Sequence, residues 1–123
     1  MFTFLLFALP LVASAQMEVQ PMAALQNELD SIKVSEITTG CDCSDGMAKV
    51  SEILVRETNS FSSRSEVMED DFAKQVVTLT SKKTNEISAF CTTLGINDID
   101  IFDCPSFKTL ELNANILNEK VGY

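Results

Sequence analysis

Gly40-Cys41-Asp42-Cys43-Ser44-Asp45 is the stretch on which the fold turns. Gly40 can end a preceding helix in a left-handed conformation, and Ser44 or Asp45 can cap a following one. Two cysteines, one residue apart, lie between those signals. The stretch is therefore expected to link two helices while carrying half of the chain's four cysteines.

Apolar spacing on both sides is helical. Upstream, Pro21 suits a first helical position. Met22, Leu25, Leu29 and Ile32 follow at spacings of three and four, so helix one is expected over Pro21 to Thr38. Downstream, Met47, Val50, Ile53, Leu54 and Phe61 mark helix two, which fades in the polar run 59–65.

Ser63 and Glu66 have the spacing of a capping box. Helix three follows, with Met68, Phe72, Val76, Leu79, Ile87, Phe90 and Leu94 inward and Gly95 as its stop. Residues 78–84 are rich in β-branched and hydroxyl side chains, which weaken helices. A kink or break is expected near Thr80–Thr84. Pro105 or Ser106 opens helix four, where Phe107, Leu110, Ala114, Leu117 and Val121 form the cleanest heptad before Gly122-Tyr123. Between helices three and four, residues 96–103 alternate isoleucine with acids. They are expected as a short extended segment whose Ile side chains tuck onto the end of the fold.

Four amphipathic helices joined by short links favour an all-α fold, a small antiparallel four-helix bundle. In an up-down-up-down path the first and third connections lie at the same end. Cys41, Cys43, Cys91 and Cys104 are thus expected to converge on one pole.

The first 15 residues, Met1 to Ala15, are apolar and end in Ala13-Ser14-Ala15, the small-residue pattern of a cleaved signal peptide. The run is shorter than the roughly 20 apolar residues of a membrane span. The mature chain is expected to be one helical domain, residues 16–123, secreted and extracellular. Export makes two disulfides the default. A Cys41–Cys43 ring would be strained, which leaves Cys41–Cys104 with Cys43–Cys91, or Cys41–Cys91 with Cys43–Cys104. Each bond closes a loop of about 50–60 residues, worth about 4 kcal/mol in chain entropy. The weaker alternative is a four-thiolate zinc site, for which one pair is too close and the other too far apart.

The net charge is -9, with 18 acids against nine basic residues, all after residue 15. Such a field disfavours nucleic acid and anionic lipid but not a basic partner. The chain has no His, which removes Ser-His-Asp and Cys-His catalysis and any His-ligated metal. Asp98, Asp100 and Asp103 invite a calcium reading. No Gly lies among them, however, and Thr109 stands where an EF-hand loop counted from Asp98 needs Glu. Glu66, Glu69, Asp70 and Asp71 suit the start of a helix, where acids favour the dipole. Met22, Met47 and Met68 are expected as space-filling core residues.

The close pair Cys41/Cys43 opening a helix, with Cys91, Leu94 and Cys104 beyond, resembles saposin-type lipid-binding domains. The resemblance implies that Cys91 and Cys104 pair with each other, and that an apolar ligand is carried. The chain departs from that pattern in its Cys-x-Cys opening, its long middle segment and the lack of a C-terminal cysteine pair. Two function classes stand ahead of an enzyme. One is an extracellular effector or signalling protein acting by binding a protein partner. The other is a carrier of a lipid or other apolar small molecule. No cofactor, catalytic residue or integral membrane segment is expected.

Overall fold

The computed structural model describes residues 21–121. The expected signal peptide, the mature start at Gln16 and the Gly122-Tyr123 stop lie outside them. Among the described residues the chain is helical, without strands. Five α-helices occur: α1 (21–30), α2 (Gly40–Thr58), α3 (Arg64–Glu69), α4 (Asp71–Thr93) and α5 (Pro105–Val121). Short 3-10 turns lie at Val34–Glu36 and Asp98–Asp100.

Two boundaries differ from the periodicity reading. Helix one stops at residue 30, and Gly40 is the first residue of α2 rather than the end of α1. Neither Ser44 nor Asp45 caps α2. The cap is Thr39, whose hydroxyl accepts from the Asp42 N–H at 3.1 Å, while the Asp42 carboxylate accepts from the Thr39 N–H at 3.1 Å. This reciprocal box satisfies donors that the first helical turn leaves unpaired. It moves Cys41 and Cys43 from a link into the first turn of a helix. Gly40 is required by proximity: a Cβ there would lie 2.7 Å from the backbone oxygen of Asp100.

The expected interruption near Thr80–Thr84 is absent, and α4 runs unbroken through it. Thr78, Thr80 and Thr84 each donate their hydroxyl to the carbonyl four residues back. The hydroxyls are thereby absorbed by the helix itself. The division falls earlier, at Asp70. Its extended backbone ends α3, and its carboxylate accepts from the Ala73 N–H at 2.8 Å to start α4. This shift turns Met68 outward, 48% exposed, and buries Val67 and Ala73 instead. Leu94, also expected inward, is exposed beside Gly95, whose φ of 77° stops α4.

The core joins Leu25, Leu29 and Ile32 to Val50, Ile53, Leu54, Val76, Ile87 and Leu117. α2 sits at its centre and packs on both α4 and α5. On one side Gly46 lets Ile87 and Ile32 approach to 3.3 and 3.7 Å of where its Cβ would be. On the other side lies a polar ladder. Ser106 Oγ donates to Ser44 Oγ at 2.8 Å, Asn113 Nδ2 to Ser51 Oγ at 3.0 Å, and Lys120 Nζ to the Thr58 carbonyl at 3.4 Å. Each rung spans 62 residues, and successive rungs are seven residues apart on both helices. α2 and α5 therefore run in the same direction, with one heptad register. The last rung places a cation on the C-terminal carbonyl of α2, where the helix dipole favours it.

Candidate functional site

The four cysteines meet at one pole. Cys41 bonds Cys104, and Cys43 bonds Cys91, with Cα separations of 5.3 and 6.3 Å. This selects one of the two pairings that spacing left open. It overturns the pairing implied by the saposin resemblance, since Cys91 and Cys104 bond different partners. With every sulfur in a disulfide, no thiolate remains for zinc. One bond ties α2 to the end of α4 and the other ties α2 to the start of α5. Cys43, Cys91 and Cys104 are buried, whereas Cys41 is exposed.

Loop 94–104 lies over this pole. The Ile96 N–H donates to the Cys91 carbonyl at 3.1 Å, and the Asn97 N–H donates to the Asp100 carboxylate at 2.7 Å. The extended segment expected here is instead the 3-10 turn Asp98–Asp100, because that pairing closes the backbone locally. Only part of the isoleucine expectation holds. Ile101 is buried at 7% exposure, while Ile99 stands 78% exposed and Phe102 55% exposed. The Phe102 ring rests against Phe107, with centroids 5.2 Å apart.

Acids dominate the pole, with Lys33 and Lys108 at its margins. Segments 34–48 and 88–107 meet there, and neither contains a Lys or Arg. They contribute Glu36, Asp42, Asp45, Asp98, Asp100 and Asp103. Asp42 is held below the usual carboxylate range by the Thr38 backbone N–H and hydroxyl, then by the Thr39 N–H. Away from the pole, Arg56 donates two bonds to Glu28, at 2.6 and 3.0 Å, and joins α1 to α2. That pairing lowers the Glu28 pKa and raises that of Arg56.

Other acids noted in the sequence have structural work. Glu66 accepts from the backbone and hydroxyl of Ser62. Asp70 caps α4, and Asp71 pairs with Lys74 at 3.4 Å. Among the described residues no three acids or cysteines assemble into a group able to hold a metal ion, and the carboxylates of Asp98, Asp100 and Asp103 are not gathered into one.

An open groove of about 610 Å³ runs between α1 and α4, floored by Met22 and Leu79 and edged by Gln26, Gln75, Lys74 and Asp71. Met22 and Met47 pack partly buried against the core. Among the described residues no helix is long and apolar enough to cross a membrane.

No family model matches the chain, and neither a curated protein nor a solved structure matches it. The functional reading therefore rests on the geometry of the pole and the chemistry of the surface. The ladder Ser44–Ser51–Thr58 was missed by apolar patterning, although its seven-residue repeat is visible in the sequence. The acid-only character of the two polar segments was likewise visible once the pole was known.

Proposed function

We propose that this chain is exported, loses residues 1–15 as a signal peptide, and acts outside the cell by binding a protein partner through its surface. The carrying observation is the pair of disulfides that clamp α2 to α4 and to α5 in a small helical chain. Such cross-links persist in oxidising compartments and are rare in the cytosol. The architecture belonging to this reading is an antiparallel four-helix bundle of α1, α2, α4 and α5, with α3 as an added turn. The shared direction of α2 and α5 supports that topology, since alternate helices of such a bundle run the same way.

The chemistry available favours binding over catalysis. The shifted groups, Glu28, Asp42 and Arg56, are accounted for by an ion pair and a helix cap. None needs a reactive role. A second reading, carriage of an apolar small molecule, is favoured by the groove over Met22 and Leu79.

Native mass spectrometry of protein purified from its own secretory source tests both. A mature apo mass about four hydrogens below that of the reduced chain supports two disulfides and surface binding. A retained lipid mass overturns surface binding in favour of the carrier. Free thiols on all four cysteines overturn export itself.

A further inference from the structure

We infer that the disulfide pole is the docking surface, and that its partner is a protein offering an apolar socket rimmed with lysine or arginine. The inference deepens the binding reading and rests on it. Ile99 and Phe102 lie three residues apart on loop 94–104 and are 78% and 55% exposed. Ile101, between them, and Cys104, two residues beyond Phe102, do the opposite and are buried. The loop thus separates anchors that hold it from apolar side chains that it presents.

The presentation is rigid. Cys104 is bonded to Cys41, Cys91 to Cys43, and the Asp100 backbone lies so close to Gly40 that no side chain fits between them. The Phe102 ring leans on Phe107. Large apolar side chains held out to solvent on a fixed frame lose little entropy on binding, which is the usual condition of an interface anchor.

Charge names the partner. Asp98 and Asp103 flank the apolar pair, and Glu36 and Asp45 are exposed on the segment across the pole. Within the two segments the acids meet no cation, and only Lys33 and Lys108 stand at their edges. Docking on an anionic bilayer, or on an identical pole of a second copy, would bring like charges together. A basic rim around an apolar socket is complementary on both counts.

The test titrates the secreted, disulfide-intact, 15N-labelled protein with a synthetic amphipathic helix of about 18 residues, leucine on one face and lysine on the other. Amide shifts are expected in residues 94–104 and 40–45. Ile99→Ser with Phe102→Ser is expected to weaken binding by about tenfold or more. Leu112→Ser with Ile116→Ser, on the exposed face of α5, is expected to leave it unchanged. If the first pair perturbs folding by circular dichroism, Asp98→Asn with Asp103→Asn replaces it and is expected to remove the loss of affinity otherwise seen between about 50 and about 500 mM salt.

Peptide-induced shifts confined to another face overturn the pole while leaving surface binding in place. Binding to phosphatidylcholine vesicles, with or without phosphatidylserine, in preference to the peptide assigns the apolar pair to a membrane and overturns the inference. Concentration-dependent shifts at the pole without peptide assign it to a second copy and do the same. Absence of any response also overturns it, and the binding reading then stands or falls on the mass measurement.

Discussion

α2 and α5 are of similar length, 19 and 17 residues, and run side by side in one heptad register. In sequence, α5 has the cleaner apolar repeat. In the fold, α2 buries nine residues and α5 buries only Leu117. Four of the nine are Ser44, Gly46, Ser51 and Thr58. An apolar stripe tells which face of a helix turns inward. It does not tell whether the opposite face is also covered. α2 is central because Ser44, Ser51 and the end at Thr58 give it a second contact face, toward α5, in addition to the one toward α1 and α4, where Gly46 lies. Among the described residues the far side of α5 has no such neighbour, and Leu112 and Ile116 remain 56% and 46% exposed there.

The buried hydroxyls carry little penalty because each is paired. Ser51 Oγ donates to the Ala48 carbonyl at 2.7 Å and accepts from Asn113, and Thr58 Oγ1 donates to the Leu54 carbonyl at 2.7 Å. Among the described residues no buried side-chain nitrogen or oxygen is left without a partner. Unpaired, each would cost about 1–3 kcal/mol.

The contrast can be broken most sharply at its cross-links. Cys43→Ala with Cys91→Ala opens a bond spanning 48 residues between α2 and α4. It is expected to cost about 4 kcal/mol in denaturant unfolding. A loss below about 1 kcal/mol would mean that α2 is held without the clamp.

Next comes the pair Leu117 and Ile116, adjacent on α5. Leu117→Ala is expected to cost about 3 kcal/mol, and Ile116→Ala less than about 0.5 kcal/mol. Equal losses by thermal unfolding would show that α5 is rotated from the face described. Smaller again is the middle rung of the ladder. Ser51→Ala is expected to cost about 1 kcal/mol, because Asn113 loses its acceptor in a half-buried position. A double-mutant cycle with Asn113→Ala is expected to return a positive coupling, and additive losses would remove the rung from the account of why α2 is central.

The smallest effect lies at the exposed start of α2. The folded-state pKa of Asp42 is depressed, so its contribution is complete above the ordinary carboxylate value near about 4 and fades as pH falls through the lowered one. Asp42→Asn is expected to flatten the acid limb of stability against pH, measured by urea unfolding between about pH 2 and 6. An unchanged acid limb would assign it to other carboxylates.

Much of this fold was legible. The stripes Leu25–Leu29–Ile32, Val50–Leu54 and Val76–Ile87 face the core as their spacing predicts. Pro105 opens α5 and Gly95 closes α4. The boundaries at Thr39 and Asp70 were harder because several good caps compete locally. Ser44 and Asp45 cap as well as Thr39 in isolation. Starting α2 at Gly40 wins because it buries Cys43 beside Cys91 and lets the Asp100 backbone settle against Gly40. At Asp70 no Pro or Gly announces the division, and a side-chain cap suffices.

What the sequence by itself determined is therefore local: helical content and the inward face of each stripe. These follow from periodicity, which depends on near neighbours alone, whereas the expected gathering of Cys41, Cys43, Cys91 and Cys104 at one end also assumed an up-down path. Only the tertiary structure decided which cysteines pair, why α2 rather than α5 is central, and why Ile101 turns in while Ile99 turns out. Each of those depends on closest approach between segments some 50–60 residues apart. The closeness that small side chains permit is invisible to a pattern of hydrophobicity.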